Sequence, residues 1–155
     1  MIGNGEIEIF FLCLLHYNDT CKVNQQFTGG ERKVVKLNIQ TAELALKEAS
    51  ESNPGAWADH SRFVAEACKN IASHCKDLSS EQAYIFGLLH DIGRYAGVSS
   101  ERHLIDGYRY CMERGWEKAA QICISHAFMI QDIATSIGEF DVSDQDYLFM
   151  KEFVA

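Results

Sequence analysis

The chain has 155 residues, 47% hydrophobic and 23% charged, which is enough for one domain with a real core. Lys and Arg number 14 against 22 Asp and Glu, a net charge of −8. That balance excludes a nucleic-acid binder working through a broad basic surface, though not a small nucleotide held by a metal and a few local cations.

Residues 1–33 stand apart from the rest. The string EIEIFFLCLL (6–15) reads as one strand or a short apolar helix, and the polar stretch 17–33 follows it. An exposed apolar strand is an association hazard. Residues 1–33 are therefore expected to form an atypical extension, foreign to the domain or pairing with another chain in a homo-oligomer, and residues 34–155 the domain itself. The longest apolar run, 7–17, is interrupted by Glu8 and is far short of the roughly 20 residues that cross a bilayer. It has no Lys or Arg before it, as a signal peptide would. Six cysteines without a CxxC pair read as reduced thiols and point to the cytoplasm, with no membrane partner.

From Val34 the pattern is helical, and the single proline, Pro54, predicts long helices with few breaks. Residues 39–51 form a helix stopped by Asn53-Pro54-Gly55. Residues 56–75 place Trp57, Phe63, Val64, Ala67, Cys68, Ile71 and Cys75 on one stripe of helical period. Ser79 or Ser80 caps a helix over 81–93 carrying Ala83, Ile85, Phe86, Leu88, Leu89 and Ile92. Another runs over 100–114 and ends at Gly115. A further helix, 116–130, turns Ala119, Ile122, Cys123 and Ile130 inward. Ser143 to Asp146 resembles a capping box, with Asp in place of Glu, that starts a last helix running to the terminus. The fold class is all-α.

Placed on these helices, the histidines are informative. His60 lies three after Trp57 and four before Val64. His90 lies four after Phe86. His126 follows Cys123 and Ile122 by three and four. Three helices thus direct imidazoles into one interior, and His103 in a first turn adds a fourth. Any one of them alone reads best as a hydrogen-bonded core residue. Several unpartnered buried imidazoles would cost roughly 1–3 kcal/mol each, which a shared metal removes. Asp91 follows His90 directly, and both reach one ion only where a helix end faces a cavity. Gly93 allows close backbone approach or ends the helix. Arg94 places a fixed positive charge beside the site, suited to phosphate. A carboxylate mixed with imidazoles suits Fe, Mn or a similar divalent ion, one or two per chain.

The strings WADHSRFVAEACKNIA (57–72) and AYIFGLLHDIGRY (83–95) resemble the first-helix and His-Asp motifs of the HD-domain metal-dependent phosphohydrolase superfamily. HLIDGYRYCMERGW (103–116) and ICISHAF (122–128) are similar to the histidine motifs of its two-metal subfamilies, so the resemblance covers roughly 38–130. It implies an HD-domain helical bundle in which His60, His90 and Asp91 hold a first metal. It also implies that His103 and His126 hold a second, with Asp91 bridging. The implied activity is hydrolysis of a nucleotide or other small phosphate ester by metal-activated water. Asp91 and Arg94 are then the catalytic residues, and Arg62 or Arg102 are further cations. The superfamily adds an Asp on a later apolar helix. None occurs before Ala155, since Asp141, Asp144 and Asp146 fall in a loop and a helix start, so a domain truncated at its C-terminus is expected. The alternative is a non-catalytic metal- or nucleotide-binding regulatory HD module.

The other candidates read as structure. His16 is incidental and His74 suits a helix C-terminus. Glu101-Arg102 reads as a solvated helix start, and Trp57 and Trp116 as core. Residues 139–146 read as a solvated acidic loop from which one carboxylate could replace the missing ligand.

Overall fold

The computed structural model describes residues 35–128 and 132–155. The apolar segment 6–15, His16, Cys13, Cys21 and the proposed extension lie outside the described residues. Among those described, the fold is six α-helices and two short 3-10 turns, with no strand. None of these helices is long and apolar enough to cross a membrane.

Helix α1 (Ile39–Ser52) starts at Asn38, whose side chain accepts from the Thr41 amide, and buries the row Ala42, Ala45, Leu46 and Ala49. The Asn53-Pro54-Gly55 turn is tied at both ends. Asn53 Nδ2 donates to the Arg94 carbonyl at 2.7 Å, and Trp57 Nε1 donates to the Asn53 carbonyl at 2.9 Å.

Helix α2 (Trp57–Ala72) buries Ala58, Ser61, Val64, Ala65, Cys68 and Ala72. This corrects the expected stripe, because Phe63 is 64% exposed and Ile71 is also exposed. The buried seam instead carries three alanines spaced seven residues apart, Ala58, Ala65 and Ala72. Its partner is helix α3 (Ser80–Leu89), which passes so close that a Cβ on Gly87 would lie 2.5 Å from Ala65 Cα. A bulky side chain there would hold the two backbones apart.

Helix α3, capped by Ser79 on the Gln82 amide, is the central element and is buried on nearly every side. It ends at Leu89 and does not continue to 93. The Leu89 carbonyl accepts from Cys123 Sγ, and Asp91 O takes the Arg94 amide in the tighter i to i+3 pattern of a 3-10 turn over Ile92–Ala96.

Helix α4 (Arg102–Glu113) closes on Gly115, at φ +74°, with Gly115 N donating to Met112 O and Trp116 N to Cys111 O. That is a Schellman stop, which favours glycine in the left-handed position. Helix α5 (Glu117–Ser125) is shorter than the expected 116–130. Its C-cap is His126, after which a turn returns the Phe128 amide to Ser125 O. Ile130 lies outside the described residues. A second 3-10 turn (Ile133–Thr135) leads to helix α6 (Asp144–Val154), where Ser143 Oγ accepts from the Asp146 amide.

The core centres on Leu46, Leu88, Leu89, Ile92, Leu104, Ile105 and Ile124, all fully buried. Each contributes roughly 1.5–3 kcal/mol on burial. Trp116 joins this core with its indole N–H on the Val35 carbonyl, so both tryptophans are structural.

Candidate metal centre

Four elements deliver the expected residues to one place: His60 from the first turn of α2, His90 and Asp91 from the end of α3, His103 from α4 and His126 from the end of α5. His90, Asp91 and His103 are buried, and His60 and His126 are half-buried.

Gly93 is what brings α4 to Asp91. A Cβ there would lie 2.0 Å from the His103 carbonyl oxygen and 2.4 Å from Gly107 N, so only glycine fits.

Three imidazoles are oriented alike. Nδ1 of His90 bonds to Gly87 O at 2.7 Å, Nδ1 of His126 to Cys123 O at 3.0 Å, and Nδ1 of His103 to Ser100 O. A carbonyl only accepts, so each Nδ1 carries its proton and each Nε2 is turned toward Asp91.

The two Asp91 oxygens divide the site. Oδ1 lies 3.2 Å from His103 Nε2 and 3.4 Å from His126 Nε2. Oδ2 lies 3.9 Å from His90 Nε2 and accepts from Arg94 Nε at 2.9 Å. His60 stands beside His90 with ring centroids 5.3 Å apart. Ligand atoms of His60, His90 and Asp91 fall within 4.8 Å of one another, and so do those of Asp91, His103 and His126.

This donor set fits cations. With Nδ1 protonated, a neutral imidazole presents a lone pair at Nε2, and an ionised carboxylate presents only lone pairs. Acceptors facing acceptors at such distances need a positive charge between them, either a proton or a metal ion. Burial pushes the His90 imidazole down to about 4, opposed by Asp91 and reinforced by the neighbouring His126 and His60. The ring is therefore neutral and ready to ligate at pH 7. Burial alone would raise Asp91, but the His90, His103 and His126 imidazoles outweigh it and hold the carboxyl well below its usual range.

The remaining candidates lie elsewhere. Arg62 pairs with Asp59 on the exposed side of α2, and Arg102 pairs with Asp106. His74, exposed at the end of α2, bonds to Asn70 O. None of the late carboxylates joins a metal group among the described residues. Asp141 accepts from the Ser100 and Arg102 amides, Asp146 is engaged by Arg109, and Asp144 begins α6. Glu101 corrects another expectation, being buried at 8% exposure and not a solvated helix start. Sequence reasoning also missed the three carbonyls that orient the rings, which carry no residue-type signal.

Residues 30–120 match the family model of the HDOD domain, a domain related to the HD superfamily. The matched span contains His60, His90, Asp91, Arg94 and His103 and stops before His126. No curated protein and no solved structure matches the chain.

Proposed function

The chain belongs to the HDOD domain family, which carries the HD-like fold but is often non-catalytic, and from the doubly shared Asp91 carboxylate we propose that it is a metal-dependent phosphohydrolase acting on a nucleotide or other small phosphate ester. The observation that carries the reading is that two ligand triads meet on Asp91. His60, His90 and Asp91 would hold one ion, and Asp91, His103 and His126 the other. Divalent ions of the Fe or Mn kind supply Lewis-acid activation of water and of phosphate oxygens.

The protein's own part is positioning and charge. The carbonyls of Gly87, Ser100 and Cys123 fix three rings before anything binds, so little order is lost on ligation. Arg94 spends only Nε on Asp91. Its two Nη groups make no hydrogen bond among the described residues, and its side chain is 31% exposed. It is thus placed to donate to a phosphate oxygen while fixing the carboxylate. In a chain of charge −8, such local cations must carry anion binding. Reduced thiols, with Cys68, Cys75, Cys111 and Cys123 all unbridged, support a cytoplasmic setting.

A second reading, a non-catalytic metal- or nucleotide-binding regulatory module, is favoured by one observation. Asp141 and Asp146 serve other contacts and Asp144 lies in the first turn of α6, outside both ligand groups, leaving five side chains for two ions. The test is turnover of p-nitrophenyl phosphate and bis(p-nitrophenyl) phosphate by the full chain reconstituted with Mn or Fe, beside Asp91→Ala. Turnover that Asp91→Ala abolishes supports the hydrolase. Metal uptake without turnover identifies the regulatory module. Turnover unchanged in Asp91→Ala overturns both.

A further inference from the structure

We propose that Asp141 is a positioning residue for the second metal pair, acting through a clasp that fixes the peptide on which His103 is hung. The inference rests on the metal-centre reading above. Helix α4 begins without a side-chain cap of its own, because Glu101 at its N-cap makes no such bond. The orphan amides of a helix start need acceptors. Here a residue 39 positions later supplies them: Asp141 Oδ1 accepts from Arg102 N at 2.7 Å and Oδ2 from Ser100 N at 3.1 Å.

The peptide between Ser100 and Glu101 is held from both sides. Its N–H, on Glu101, donates to Glu139 O at 3.1 Å, and its C=O, on Ser100, accepts the Nδ1 proton of His103. Glu139 N returns a bond to Ser100 Oγ at 3.0 Å. The plane that aims His103 at Asp91 is thus set by residues 139–141.

The clasp is reinforced beneath. The buried Glu101 carboxylate accepts from Ser136 Oγ at 2.7 Å through Oε1, and Oε2 has no partner among the described residues. Glycine at 138 leaves room for it, since a Cβ there would fall 1.8 Å from Glu101 Oε1. The late acidic loop therefore contributes to the centre without being a ligand. It orients a ligand through one backbone peptide, the kind of outer-sphere support whose loss weakens metal binding by about 10–100-fold.

The test uses the full chain in four forms beside wild type: Asp141→Ala, Asp141→Asn, His103→Ala as the reference for a lost second pair, and Ser143→Ala. The last removes an equivalent cap from α6, away from the centre. Mn(II) binding is followed by calorimetry, and the histidine side-chain 15N resonances of the metal-free forms are recorded by NMR. Asp141→Ala is expected to weaken one of two ions by about 10–100-fold, the same ion lost in His103→Ala. Asp141→Asn, which keeps an acceptor oxygen, should fall by only a few-fold, and Ser143→Ala should match wild type. In the metal-free spectra Asp141→Ala should shift His103 and leave His60 in place. Wild-type affinity for both ions in Asp141→Ala, or equal loss of both, overturns the clasp. Should wild type itself take up fewer than two ions, the metal-centre reading falls. The His103 resonance then decides the clasp alone, supporting it if shifted and overturning it if unmoved.

Discussion

His103 Nε2 lies 3.2 Å from Asp91 Oδ1 while Nδ1 of the same ring bonds to the Ser100 carbonyl. One ring thus joins a carboxylate at the end of α3 to a backbone turn before α4. The other oxygen of Asp91 accepts from Arg94, and this carboxylate is the one group that both ligand triads share.

That sharing separates the ligands by variant. His60→Ala should lose one ion and keep the other, and His126→Ala should lose the other and keep the first. Asp91→Ala should lose both. Metal analysis after gel filtration checks this, and Asp91→Ala retaining one tightly held ion would count against a common carboxylate.

Acid should destabilise the metal-free protein. The His90 imidazole titrates near 4 in the folded chain and near 6.5 unfolded. Between those values the unfolded state binds the extra proton, so stability present above pH 6.5 is lost as pH falls toward 4. The depressed Asp91 carboxyl acts in the same direction below its ordinary value of 3.8. Urea unfolding across pH 4–8 measures the loss, and His90→Asn should flatten the upper part of the window. A wild-type curve level from 6.5 to 4 would refute the assignment.

Gly93→Ala should be far more damaging than its size suggests. Its Cβ would collide with the backbone of α4 at His103 O, where no flexible side chain can yield. Overpacking of this kind costs about 1–3 kcal/mol or more. The melting temperature should drop, and metal uptake at the His103 side should fall with it. His74→Ala, on the exposed end of α2, should stay within about 0.5 kcal/mol of wild type.

Arg94→Ala removes the guanidinium from a buried carboxylate and should lower metal-free stability by about 1–3 kcal/mol. Bound metal should shrink that loss, because it also neutralises Asp91. Thermal melts with and without Mn(II) compare the two, and an equal loss in both would place Arg94 outside the centre's electrostatics.

Much of this architecture was legible in the sequence because it is local. Helical periodicity located the segments, and His60, His90 and His126 could be assigned to one interior from their offsets to apolar neighbours, with His103 added from its place in a first turn. Gly93 signalled either a close approach or a helix end, and the structure shows α4 approaching it. The misread features depend on distant partners. Phe63 looks like core by period, yet the seam with α3 needs the alanine row because Gly87 presses on Ala65. Leu89 ends its helix because Cys123, 34 residues on, takes its carbonyl. Glu101 reads as solvated until Ser136 and Gly138 cover it, and Asp141 reads as a loop acid until it caps a helix from 39 residues away.

The most direct test of the shared-carboxylate centre is the metal content of the full chain after reconstitution with Mn or Fe, measured by elemental analysis against protein concentration. Two ions per chain are predicted. One ion, or none, would contradict it.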